Sequence, residues 1–323
     1  MGNQACNPSP NTVDCLYDAA SHAGLLPDLS LDASLASLLS LNSSRVVEQQ
    51  YAALQSRLAP QQRAAFNRDL HTAFGGNAMV SYGGVGVVAL AVSVLFEVLA
   101  HHQTTTSGHR GLERPPTPPD PIARMFGPNG RSEVGSIASE FLKQVPGAAN
   151  DRDQMVALLE SYEAKLRFEL MDLYESMVFL ERGALSSAGV KQWVNGAALH
   201  LHIFLHWKRL TDPAAAESFS LDYLRGVDPL VKTYSEYLHR TVRETPASGP
   251  GLSGLLVVEP LRNVSHEVRH RACESAAIQR ALVERFLSDQ DPQRGKDFFQ
   301  SSQDRHDALM AQRGDLRLSI ASH

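Results

Sequence analysis

His266-Glu267-Val268-Arg269-His270 is the stretch of this chain whose residue types and spacing spell out a reaction. On a helix, histidines four apart stand one turn from each other and can share one Zn²⁺. The glutamate between them then polarises a zinc-bound water as general base.

Over those five residues the chain resembles the zincin metallopeptidase signature. The resemblance implies His266 and His270 as metal ligands, Glu267 as catalytic base and zinc as cofactor. Arg269 and Arg271 place cations where that family keeps uncharged residues, and no His or Gly follows at the extended metzincin spacing. A solvated, charged helix face explains the motif more simply, so no cofactor is expected and a zinc hydrolase stands as an alternative. A second group, His200, His202 and His206, lies in HLHIFLHW. His202 and His206 share a helix face while His200 points elsewhere, which reads as packing with imidazole tips at the helix edge. The chain contains no Walker A motif and no G-x-S-x-G. Gly83-Gly84-x-Gly86 lies inside an apolar run and reads as small residues permitting close helix–helix approach.

That apolar run dominates the elements around these motifs. Residues 78–100, AMVSYGGVGVVALAVSVLFEVLA, carry one charge, Glu97. As a helix they span about 34 Å, enough to cross the roughly 30 Å hydrocarbon core of a bilayer. In that setting Tyr82 is an interfacial anchor, Gly83, Gly84 and Gly86 are packing positions, and Leu90, Leu95 and Phe96 face lipid. Arginines flank the segment evenly, so no orientation follows. The centre of a large bundle also needs a helix that is apolar all round. A soluble bundle that shields such a helix and releases it to a membrane would be similar in outline to the α-helical pore-forming proteins, on architecture alone.

The rest of the chain reads as helical. Residues 1–44 suggest an N-terminal arm of short turns. Helices are expected over 45–58 and from Pro60 to about Phe74, with Gly75-Gly76 as the interruption. Residues 103–121 are a Pro-rich linker. Asp151 with Gln154 forms a capping box ahead of Leu159, Tyr162, Leu166, Leu170, Leu173, Met177 and Leu180, a stripe with coiled-coil-like spacing. A second helix over 187–210 should pack back against it. Further helices are expected over 228–243 and 259–287, and GLLVV at 254–258 is the only strand-like run. The expected fold is all-α, a bundle of long antiparallel helices with one very apolar helix, 78–100. The expected units are 1–44, 45–102, the 103–121 linker, a helical bundle over 122–290, and a polar tail over 291–323.

A net charge of −5 argues against a nucleic-acid partner. Three sparse cysteines and no signal peptide suggest an intracellular protein, membrane-associated or cytoplasmic. Met1-Gly2-Asn3-Gln4-Ala5-Cys6 resembles an acylation signal, with Gly2 myristoylated and Cys6 palmitoylated to give a lipoprotein. Together these features suggest a non-enzymatic helical protein that associates with membranes through its apolar helix, as a scaffold or a permeabilising protein. A soluble interaction protein holding that helix as core is the second reading. A lipid membrane, a protein partner or self-association through helices are the partners that fit.

Overall fold

Asp151 opens the longest helix by accepting hydrogen bonds from the backbone N–H groups of Asp153 and Gln154. The Gln154 side chain donates to Asp151 Oδ2 at 2.9 Å, while the Asp151 N–H bonds to the Ala148 carbonyl, so the reciprocal half of the expected capping box is not formed. Asp32, Asp120 and Ser186 cap helices in the same way in this computed structural model, which describes residues 10–22, 26–106, 120–127, 133–179, 185–215, 217–245, 253–259, 264–270 and 275–319.

The chain is all-α with short strands at two places. Its first half holds α1 (Pro10–His22), α2 (Ala33–Leu38), α3 (Ser43–Arg57), α4 (Pro60–Ala73), β1 (Met79–Val80), α5 (Gly86–Thr106), α6 (Pro121–Phe126) and α7 (Val134–Ala148). Then come α8 (Arg152–Val178), α9 (Ser187–Thr211), α10 (Ser220–Thr241), β2 (Val242–Thr245), β3 (Ser253–Glu259), β4 (Val264–His270) and α11 (Ser275–Gln290). The chain finishes with α12 (Pro292–Asp304), α13 (His306–Ala311) and β5 (Leu316–Arg317). Strand β1 pairs antiparallel with β5, and β2, β3 and β4 form an antiparallel meander.

The apolar stripe of α8 is buried from Leu159 to Met177, whereas Leu180 lies outside the described residues. Helix α9 folds back along it. Arg152 at the start of α8 reaches the carbonyl of Leu210 at the end of α9, and the Tyr174 ring packs tilted against Trp193 at 5.4 Å. Helix α9 is the innermost element: from Gly189 to His206 every residue is buried.

Several expectations need correction. The apolar run does not begin as helix, because residues 78–85 form β1 and a turn before α5 starts at Gly86. Two left-handed residues, Tyr82 (φ 55°) and Gly86 (φ 58°), redirect the chain there, a geometry no helix accommodates. Helix α5 then runs into the expected linker as far as Thr106, and 107–119 lie outside the described residues. The strand-like run 254–258 is β3, but the helix expected over 259–287 is instead strand β4 followed by α11, which starts only at Ser275. Val264 and Val268 misled: residues four apart share a face on a strand as well as on a helix. Helix α10 starts eight residues earlier than Asp228, with Pro229 inside it.

Long-range contacts also join the expected units. In the N-terminal arm, Leu35 and Leu38 are buried, and Asp32 and Ser30 bond through their backbones to the Asn195 amide of α9. The polar tail supplies buried Phe299, Leu309 and Met310, and Ser319 N–H donates to Tyr51 Oη at 2.9 Å.

Candidate functional site

The apolar segment is enclosed. Val87, Val88, Leu90, Val92 and Phe96 are fully buried, Leu95 and residues 97–100 are half-buried, and no residue from Gly83 to Ala100 is exposed. Helices α2, α3, α4, α7 and α9 pack around α5. Tyr51 stacks on Phe96 with ring centroids 5.2 Å apart. Gly83 and Gly84 serve close approach, but from a turn: Gly84 to the first turn of α3 and Gly83 to strand β5. A Cβ on Gly84 would lie 2.7 Å from Ser44 Oγ, and one on Gly83 2.6 Å from Leu316 Cβ. Tyr82 is half-buried, and its ring meets His206 edge-on at 5.1 Å. The Arg209 and Arg313 guanidinium groups also stand near that ring, at 5.9 and 5.5 Å.

The charge inside the segment is matched. Arg124 Nη1 donates to Glu97 at 2.6 Å, and its Nε donates to Asp32 at 2.9 Å. Arg124 thereby ties α6 to α5 and to the cap of α2. Beside this clamp, α5 floors a cleft of about 710 Å³ with the buried Ala91 and Val94 and the half-buried Leu95 and Val98, and Leu142 and Leu158 also line it. The exposed Lys143 stands at its rim.

The α9 histidines lie deep inside, not at a helix edge, and all three are buried. His200 Nδ1 accepts the Tyr223 hydroxyl at 2.8 Å, and its Nε2 donates to Glu163 at 3.3 Å. Burial lowers the His200 pKa, so the ring is neutral. The hydrogen bond from His200 holds the Glu163 carboxyl below the usual range, helped by Arg167 at 3.2 Å. Burial raises the Tyr223 hydroxyl. His202 Nε2 donates to the Leu35 carbonyl at 2.8 Å, and burial holds its pKa at about 4. His206 Nδ1 accepts from Arg209 Nη1 at 2.9 Å while Arg209 Nη2 donates to the Leu309 carbonyl at 2.6 Å. Burial and the neighbouring Arg209 push His206 well below its ordinary value, and burial lowers Arg209 to about 10.

The zinc motif falls on β4, not on a helix. Residues four apart on a strand are separated by about 13 Å along the chain, so the one-turn spacing that joined His266 to His270 is gone. Val257 faces His266 and Leu256 faces Glu267 across the β3–β4 ladder. The side chains of His266, Glu267 and His270, and Gly2 and Cys6 altogether, lie outside the described residues. Among the described residues, no group of three His, Cys, Asp or Glu side chains is placed to hold a metal ion.

A second cleft, of about 490 Å³, opens between α8, α9 and α10. Tyr174, Trp193, Phe219 and Tyr223 form its aromatic wall, with Arg167, Glu175, Asp222 and Arg225 around it. Gly226 makes room for the Trp193 ring, since a Cβ there would sit 2.7 Å from that indole. The Glu163–His200 bond holds Tyr223, and therefore part of this wall, in place.

Sequence reasoning missed the Glu163–His200–Tyr223 network and the role of Arg209. One signal was present: in an antiparallel α8–α9 pair, Glu163 and His200 fall level with each other. Arg209 gave none, because its partner carbonyl lies 100 residues away. No protein-family model, curated protein or solved structure matches this chain.

Proposed function

We propose that this chain is a non-enzymatic helical interaction protein, an antiparallel bundle built around α9 and α5, in which the apolar segment is core. The enclosure of α5 carries the reading: nothing between Gly83 and Ala100 is exposed. Val87, Val88, Leu90, Val92, Val94 and Phe96 are all buried. Exposing them to water would cost on the order of 10 kcal/mol, comparable with the whole stability of a domain. The function then lies in surfaces and clefts, with protein partners or further copies of the chain as ligands. Sparse cysteines suit a reducing intracellular compartment. Purification without detergent tests the proposal. A monodisperse protein that stays in the supernatant with phospholipid vesicles agrees with it, and carbonate-resistant pelleting with those vesicles overturns it.

Membrane association through α5 is the second reading. Gly86–Gln103 has a mean hydropathy of 1.4 and is long enough to cross a bilayer, and half of it is buried. Its half-buried Leu95 and Val98 along the 710 Å³ cleft are where lipid acyl chains would first meet it, with Lys143 placed for a phosphate. Vesicle binding that is lost in Leu95→Asp, with the helical circular dichroism retained, would favour this reading over the first. Acylation at Gly2 and Cys6 would strengthen such binding and is tested by the intact mass of the cellular protein.

A further inference from the structure

Helix α8 carries two stripes, and the packed core uses one of them. Its inner stripe, Leu159 to Met177, is buried against α7 and α9. On the outer side Ala164, Phe168, Met171, Glu175 and Phe179 recur at steps of four, three, four and four, and every one is exposed. Phe168 is 74% exposed, Met171 57% and Phe179 73%, the three largest exposures of big apolar side chains among the described residues. A second seam at this spacing is what one helix presents to another.

We infer that a second copy of this chain covers the seam, with the two α8 helices antiparallel and the two-fold axis passing at Met171. The side chains are arranged symmetrically about that residue. Positions equidistant from Met171 meet across such an axis. Arg167 then faces Glu175 of the other copy, Phe168 faces Tyr174, and Ala164 faces Val178. An opposite-charge pair thus forms twice, flanking an aromatic pair formed twice, around a Met171–Met171 contact. Sliding one helix past the other by one turn, which moves the axis to Leu173, sets Arg167 against Phe179 and Glu175 against Met171, and leaves both charges facing apolar groups.

The adjoining cleft completes the fit. Tyr174, Arg167, Met171 and Glu175 all line the 490 Å³ aromatic cleft, so Phe168 of the second copy enters beside Trp193. Knob and hole on one surface are the requirement for an isologous dimer. The rim pairs fix register more than they add affinity. This inference rests on the proposed interaction role but not on α5, so the two can fail separately.

Sedimentation velocity of the full chain across micromolar concentrations tests it, with circular dichroism confirming the fold of each variant. The wild type should dimerise. Phe168→Glu and Glu175→Arg should each weaken association by about tenfold or more, the second by setting arginine against Arg167. Arg167→Glu combined with Glu175→Arg restores opposite charges and should restore the dimer. A wild type that stays monomeric overturns the pairing and leaves the seam to a different protein. A dimer unaffected by Phe168→Glu, or not rescued by the double exchange, overturns this geometry.

Discussion

Arg124 and Glu97 are joined at 2.6 Å, so the single charge of the apolar segment is answered by a guanidinium on α6, beyond the proline-rich stretch. The same guanidinium bonds Asp32, whose side chain is nearly buried. Arg124 and Glu97 are each about one-third exposed, so solvent screens part of the attraction. Arg124→Met should destabilise the protein by about 1–3 kcal/mol, chiefly by leaving Asp32 without its cation. A double-mutant cycle with Glu97→Gln, read by urea unfolding, should give a coupling of about 1 kcal/mol. A coupling indistinguishable from zero would show that the clamp does not stabilise the enclosure of α5.

Acid should weaken this fold through its buried histidines. His202 titrates at about 4 when folded, because burial disfavours the cation, and near 6.5 in an unfolded chain. The unfolded state therefore binds the proton first. The contribution is complete above pH 6.5 and is lost as pH falls from there toward 4, amounting to roughly 3 kcal/mol. His200 and His206 shift in the same direction. His202→Gln, which can still donate to the Leu35 carbonyl, should show a shallower decline in urea midpoint between pH 7 and pH 4.5. Equal slopes in the two proteins would mean that His202 is not held neutral.

Gly84 tolerates no side chain. Its absent Cβ would lie 3.0 Å from Ser44 Cα, a backbone atom that cannot turn aside. Ser43 and Ser44 hydroxyls both donate to its carbonyl, so the turn that feeds α5 is fixed from the α3 side. Gly84→Ala should cost about 1–3 kcal/mol. Gly76→Ala, where no atom lies within 4 Å but φ is +79°, should cost about 1 kcal/mol from backbone strain alone. A Gly84→Ala variant as stable as wild type would contradict the close approach of α3 to the turn.

Gly226→Ala displaces the Trp193 ring, because the new methyl would sit 2.7 Å from it. The fluorescence of Trp193, isolated in a Trp207→Phe background, should shift in wavelength while the far-ultraviolet circular dichroism stays helical. An unchanged spectrum would mean that Gly226 does not shape the aromatic wall.

Sequence carried those elements whose signals are local. Pro60 and Gly75-Gly76 bounded α4, Asp151 started α8, and the 159–177 stripe named its buried face. Hydropathy alone could not separate the turn at 78–85 from the helix that follows, since both are apolar and the left-handed Tyr82 has no composition signature. Residues 259–270 failed because period four fits a helix and a strand equally, and the partner strand β3 decided between them. The arm looked loosely packed because its leucines follow no sustained period, and the tail because it is polar, yet they are held by long-range bonds such as Asn195 to Ser30 and Ser319 to Tyr51. Of the site, the small residues around Gly84 were legible as close-packing positions. The Glu163–His200–Tyr223 network needed the α8–α9 register, which only tertiary packing supplies.

Hydrogen–deuterium exchange across Val87–Phe96, in protein kept free of detergent and lipid, tests the enclosure of α5 most directly. These amides should exchange only through global unfolding, as slowly as those of Ala197–Leu205 in α9. Rapid exchange that slows only when phospholipid vesicles are added would contradict a core helix and make the bilayer its shelter.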